Sequence, residues 1–457
     1  MKEINPLLVK HIPEESFIKN VLYKTNWYLV LSSLALTLIG FLMIYSATLN
    51  TGKSTIFVSK QFFAFLIGSG FMIIFSLLNY QIYQLYYKYF YIIAIIMLIL
   101  VILLGSKFRA TRAWIDLGII NIQPTEIIKI FFIIFLAGYF DQNWEKNNTF
   151  ARIFTAIILS ITVITLILIQ PDLSNAILYF PIIISIFYLA GVSKVLLSFS
   201  ISYATLTSIL FLTKISVSLS SSMYIPKWLN ILSAAMSGSW REFFVVMIII
   251  LAIFLLIWWI LKNLMFDIPN YYLLISILLV VLSFCSTILA NKIVKPYQQK
   301  RVIAFINPGF SPSDAGYQVI QTRIAIGSGM LLGKGLFQGT QTQLGFVPEK
   351  HTDFIFSLIA EELGFIGSTI IFILYFIIIT QGITIMQTSR DSFGSLLACG
   401  IVSLFAFYFV VNIGMCLGIV PVVGLPLPFV SYGGSNLVSS LMAIGLLNSI
   451  HLRKFIY

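Results

Sequence analysis

The sequence predicts an all-α, polytopic membrane protein, and three observations carry that prediction. Hydrophobic residues make up 59% of the 457 positions and charged residues only 10%. Mean hydropathy is +0.99. The apolar residues gather into about twelve windows near the roughly 20 residues that a spanning helix requires. A chain of this composition is excluded from the soluble globular class.

The windows lie near 27–49, 61–79, 88–104, 125–140, 152–169, 173–191, 196–213, 244–262, 271–290, 354–380, 394–417 and 433–450. Trp27 opens the first. The preceding residues carry several charges and no short apolar core with a small-residue cleavage site, so a removable signal peptide is not expected there. From Lys214 to about Trp240 the chain is Ser-rich, with Ser216, Ser218 and Ser220 to Ser222 in close order, and it reads as an irregular excursion between spans. The long connection from about Asn291 to Thr352 concentrates Gly, Gln and charge, which marks it as the functional loop. Within it, residues 318–326 have the spacing of an interfacial helix. Glycines 327, 329, 333, 335 and 339 follow, allowing close backbone approach without forming a nucleotide fingerprint.

The net charge is +12. Its basic residues are spread among loops, which favours anionic lipid or pyrophosphate over nucleic acid as counterion. An even number of spans and basic termini place both termini in the cytoplasm and the 291–353 loop outside. Cys285, Cys399 and Cys416 lie in apolar windows without metal or redox spacing and read as inert core residues.

Five blocks carry a resemblance: AWIDLGIINIQPTEIIKIFF (113–132), IQPDLSNAI (169–177), KRVIAFINPGFSPSDAGYQVIQTRIAIGSG (300–329), GTQTQLGFVPEKHTDFIFSLIAEELGFIG (339–367) and GLPLPFVSYGGSN (424–436). In this order they resemble the signature blocks of the SEDS family of shape, elongation, division and sporulation proteins. The GTQTQL stretch is more similar to the rod-shape branch, RodA, than to the division branch, FtsW. The resemblance implies a peptidoglycan glycosyltransferase that polymerises lipid II at the outer face of the bacterial cytoplasmic membrane, beside a class B penicillin-binding protein. It also implies one transmembrane domain over 1–457 with about ten spanning helices. The surplus windows point to an inserted helical pair within 214–270, with a second, weaker span or re-entrant piece expected in 214–240.

The candidate residues follow from the chemistry of joining two saccharides with loss of a lipid pyrophosphate, which needs a base, cations and a groove. Asp353, at the threshold of a span, is the candidate base and matches the acidic residue regarded as catalytic in the family. Capping of the helix beginning at Phe354, by Thr352 or Asp353, is the alternative. Glu126 and Lys129 share one helical face inside an apolar span and are expected to pair or to line a cavity. Arg112, Arg301, Arg323 and Lys334 are candidates for pyrophosphate, and Trp114 for a wall of the groove. His351 is a candidate helper of Asp353 or ligand of a divalent cation (Mg or Mn), whose involvement the sequence leaves open. Ser431 belongs to a broken-helix segment expected to floor the site. Glu361 and Glu362 are expected to extend the same cavity or supply an ion pair, and Asp172 to cap the next helix. A precursor flippase and a non-enzymatic scaffold are the rival functions.

Overall fold

The computed structural model describes residues 23–108, 111–116, 121–142, 149–219, 226–264, 269–310 and 315–454. Helices dominate. In chain order they are α1 Trp27–Thr48, α2 Ser54–Leu77, α3 Tyr80–Leu85, α4 Tyr87–Leu104, α5 Pro124–Gln142, α6 Thr149–Ile169, α7 Leu173–Leu189 and α8 Lys194–Leu219. They continue with α9 Lys227–Met236, α10 Trp240–Asn263, α11 Asn270–Ile293, α12 Pro296–Ile306, α13 Ala315–Ser328, α14 Thr340–Gln343, α15 Ile355–Thr388, α16 Ser392–Leu417 and α17 Gly434–Arg453. A small antiparallel meander, β1 Ser106–Phe108, β2 Thr111–Asp116 and β3 Asn121–Ile122, sits between α4 and α5.

Among the described residues ten helices are long and apolar enough to cross a membrane. The 19-residue α5, which carries Glu126, Lys129 and Asp141, and the 17-residue α7 bring the bundle to the windows read from sequence. Helix α5 is largely buried, and α7 buries one face, with Asn175, Leu178, Tyr179, Ile182 and Ile186. The multi-pass all-α reading therefore holds, and the two helices that depart from plain hydrophobicity supply the polar side chains of the centre.

The second span expected within 214–240 is absent from the described residues. Helix α8 runs on through Ser216 and Ser218, and the ten-residue α9 rises only about 15 Å, half of a bilayer core. Residues 220–225, with the remaining serines, lie outside the described residues. Asn291, near the end of α11, donates to the carbonyl of Met236, so α9 sits at the same end of the bundle as the start of the long loop.

Three apolar clusters hold the molecule. The main core joins α1, α2, α4 to α7 and α15 to α17. A second, with Leu210, Met236, Val246, Val280 and Phe284, joins α8 to α11 apart from it. In α10 only Val246 is buried, which puts that helix at the edge. The third packs Val319, Ala325 and Val347 against Phe354, Phe356 and Cys416, under the residue that follows Asp353.

The segment 418–433 is irregular, as its Pro and Gly content predicts. It is buried at Leu425, Leu427, Phe429 and Val430, so its backbone must find partners inside the protein. Side chains provide them. Asn412 Nδ2 donates to the Leu425 carbonyl at 2.7 Å, Ser431 Oγ accepts from the Leu427 amide at 2.7 Å, and Gln61 Oε1 accepts from the Gly433 amide at 3.1 Å.

Candidate active site

Two adjoining cavities open where α5, α7, the irregular segment and the start of α15 meet. The polar one, about 200 Å³, is lined by Trp114, Gln123, Glu126, Asp172, Ser174, Asn175, Asp353, Tyr432 and Asn436, among others. The larger one, about 580 Å³, is mostly apolar, with Ile177, Phe211, Leu212, Phe407 and Val411 on its walls and Arg301 on its rim. Asp172 and Ser174 border both. A polar pocket continuous with an apolar cleft suits an amphiphile.

Asp353 is half-buried at the polar pocket. Its backbone carbonyl accepts from Asn412 Nδ2 at 2.9 Å. The N-cap position of α15 falls on Phe354, which makes no side-chain cap hydrogen bond, and the Thr352 hydroxyl donates to Glu349. Arg301 donates through Nη1 to the Val423 carbonyl at 2.9 Å. Gly424 is next in the chain, and a Cβ there would stand 3.2 Å from both Arg301 Nη1 and Asp353 Oδ2. The two charged groups therefore converge on the space beside the Gly424 Cα that a side chain would occupy, and only glycine leaves it open.

Beneath the pocket lies a buried network. Lys129 Nζ pairs with Glu126 Oε2 at 2.7 Å, donates to Asn175 Oδ1 at 3.0 Å, and contacts the Tyr408 hydroxyl. Asn436 Nδ2 and the Tyr408 hydroxyl donate to the same Glu126 oxygen at 2.9 and 3.2 Å. The expected pairing of Glu126 with Lys129 is thus present, and it is saturated by neighbours as a buried ion pair must be. Asp172 caps α7 as expected, accepting from the Asn175 amide. Its other oxygen accepts from Asn175 Nδ2 at 2.7 Å and Gln123 Nε2 at 2.9 Å. Burial raises its pKa above the usual carboxylate value, opposed by the hydrogen bonds from Asn175.

The other candidates separate. Trp114 borders the polar pocket. The side chain of Arg112 lies outside the described residues. Arg323 is not brought to the pocket: its guanidinium donates to the carbonyls of Leu417 and Gly418 at 3.2 and 2.9 Å, closing the C-terminus of α16, where a cation is favoured. Lys334 is not brought there either. Its ammonium pairs with Glu361 Oε1 at 2.9 Å, so its charge ties the loop to α15. Glu361 and Glu362 accordingly do not extend the cavity. His351 stacks at an angle between Phe57 and Tyr432, with ring centroids at 5.3 and 5.8 Å, one residue behind the pocket wall. Ser431 is buried and donates to the Thr352 carbonyl, which makes it a brace of the Asp353 segment. Asn436, in the broken segment expected to floor the site, does line the polar pocket, whereas sequence reasoning missed Asn175, Tyr408 and Asn412, three polar residues inside apolar spans, where an uncompensated polar group is costly.

Comparison with known proteins fits this geometry. The sequence profile of the cell cycle protein family that unites FtsW, RodA and SpoVE matches residues 26–247 and 212–455. The chain belongs to that family. It is 33% identical over 452 residues to the peptidoglycan glycosyltransferase RodA of Treponema pallidum, covering 94% of this chain and 98% of that one. It is 31% identical over 353 residues to the peptidoglycan glycosyltransferase MrdB of Escherichia coli, covering 77% and 73%. Among solved structures, a peptidoglycan synthase complex said to coordinate polymerization and crosslinking matches with a TM-score of 0.62 at 21% identity, over 95% of this chain and 99% of that one. The rod shape determining protein RodA of Thermus thermophilus matches with a TM-score of 0.57 at 21% identity, over 95% and 98%. These structural matches establish a shared fold. The family membership and the ten helices among the described residues that are long and apolar enough to cross a membrane make the chain a multi-pass membrane protein.

The described residues contain no group of three or more His, Cys, Asp or Glu side chains able to hold a metal ion.

Proposed function

We propose that this chain is a peptidoglycan glycosyltransferase of the elongation type. It polymerises lipid II into glycan strands at the outer face of the bacterial cytoplasmic membrane, beside a class B penicillin-binding protein. The carrying observation is the convergence of Asp353 and Arg301 on Gly424, where the polar pocket meets the apolar cleft.

The polar pocket takes the saccharide end of a lipid-linked substrate and the apolar cleft takes the adjoining tail. Asp353 accepts the proton of the acceptor hydroxyl as that oxygen forms its bond to the anomeric carbon of the donor. The bond from that carbon to the pyrophosphate oxygen breaks at the same time, and its electron pair leaves with the lipid pyrophosphate. Arg301, on the rim, faces the negative charge that develops on the leaving group. Trp114 offers an apolar wall to a sugar face, and the network of Glu126, Lys129, Asn175 and Asn436 keeps the floor rigid and polar.

The test is reconstitution of the purified chain with lipid II, with and without a class B penicillin-binding protein, read out as glycan strands on a gel. Strand formation is expected. Movement of lipid II across a vesicle membrane without strand formation would replace this reading by transport.

A further inference from the structure

Helix α15 is broken near its start. Gly364 has φ 66° and ψ −157°, well outside the helical region. The break is filled by the outer loop. The amides of Lys334 and Gly335 donate to the carbonyls of Glu361 and Glu362, each at 3.0 Å. The amides of Phe365 and Ile366 donate to the carbonyls of Met330 and Leu331 at 2.9 and 3.2 Å. The approach is close enough that a Cβ on Gly333 would stand 2.2 Å from the Glu362 carbonyl oxygen. Residues 355–363 therefore form a separate half-helix whose far end is hydrogen-bonded to the loop and whose near end follows Asp353.

Side chains close the circuit. The fully buried carboxylate of Glu361 accepts from the amides of Gln341 and Thr342 at 2.8 and 3.0 Å, from Thr342 Oγ1 at 2.8 Å, and from Lys334 Nζ. The Thr342 carbonyl in turn accepts from Lys350 Nζ, three residues before Asp353. Burial lowers the pKa of Lys350, and the nearby Glu361 and Glu362 oppose that shift. Both ends of the half-helix are thereby tied to one turn, α14.

We infer that Glu361, acting through Thr342 and Lys350, is a positioning residue that fixes Asp353 against the polar pocket. The inference rests on the function proposed above. The chemistry at Asp353 tolerates little displacement, since a shift of about 1 Å in a reacting group costs on the order of 10²-fold in rate. A carboxylate accepting five donors, the fifth being Thr340 Oγ1 at 3.3 Å, is the part of the circuit that a substitution loosens most directly, because an amide keeps one oxygen and turns the other position into a donor.

The test uses the full chain in nanodiscs with lipid II, comparing wild type, Glu361→Gln and the near-isosteric Thr342→Val at matched folded concentration. The expected result is a fall in kcat of about 10-fold or more for Glu361→Gln, with KM for lipid II nearly unchanged. Thr342→Val should show a smaller loss of the same kind. Added to Asp353→Asn, Thr342→Val should cost nothing further, because it acts only through Asp353. Backbone amides of 350–358 should exchange hydrogen faster in both single variants, while those of α16 keep their wild-type rates. Unchanged kcat, or losses that add to that of Asp353→Asn, would overturn the assignment. Should Glu361→Gln fail to fold, Thr342→Val carries the same comparisons. Should wild type itself form no glycan, the function proposed above fails, and the exchange at 350–358 still decides whether Glu361 holds the segment.

Discussion

The Ser431 hydroxyl donates to the carbonyl of Thr352 at 2.6 Å and accepts from the amide of Leu427, so one small side chain bolts the irregular segment to the residue before Asp353. Ser431→Ala removes both bonds, leaving the buried Leu427 amide without this acceptor at a cost of about 1–3 kcal/mol and the part-buried Thr352 carbonyl without this donor. Thermal unfolding in detergent should show a clear drop in midpoint. An unchanged midpoint would mean that the segment finds other partners.

The Glu126 and Lys129 pair makes a sharper energetic prediction. Lys129→Met leaves Glu126 buried with its cation gone, which should cost about 3–5 kcal/mol, whereas the double change Glu126→Gln with Lys129→Met removes both charges and should recover much of that loss. Melting of the two singles and the double settles it. Additive losses would show that the residues do not act as a pair.

Asp172 gives a dependence on pH. Its folded-state pKa lies above the ordinary aspartate value through burial, with Glu126 raising it further and Lys129 lowering it. The folded state therefore holds this proton longer than the unfolded chain does, so the contribution is stabilising at low pH and is lost as pH rises through the raised value. Asn keeps the cap of α7 without the charge. The melting point of Asp172→Asn, relative to wild type, should rise as pH is raised from the ordinary aspartate range through the raised value. A constant difference across that range would contradict it.

The bundle also predicts sidedness. We propose that the 291–353 loop and α9 face outside and both termini the cytoplasm, and that two of the long helices α8, α10 and α11 are the addition relative to a ten-helix frame. Single cysteines at 228, 344 and 454 in a Cys-free background, probed with an impermeant thiol reagent on intact cells, test the placement. Labelling at 228 and 344 but not at 454 is expected, and the reverse pattern would invert the topology.

Much of this was legible in the sequence because lipid imposes a simple rule. Runs of about 20 apolar residues have to be helices, and α5 and α7 were found despite their polar residues. Asp353, Trp114, Glu126 and Arg301, singled out in the sequence, all line the two cavities; Glu126 and Lys129 stood out because charge inside an apolar span is costly unless it is paired or used, and Trp114 through the family resemblance. What the sequence does not reveal is which distant residue answers a polar group. Asn436 meets Glu126 across 310 positions and Asn412 meets the Asp353 carbonyl across 59. Loop cations were misread on the same ground, since nothing local tells that Arg323 closes a helix end or that Lys334 is taken by Glu361. Parity called for a second span or a re-entrant piece within 214–240; the ten-residue α9 is too short for the first.

The central claim is that Asp353 takes the acceptor proton, and Asp353→Asn tests it with little change in size. The measurement is the rate of glycan strand formation from lipid II by purified wild type and Asp353→Asn at matched folded concentration. A fall of about 10²-fold or more with folding retained is the predicted result. Near-equal rates would remove Asp353 from the mechanism.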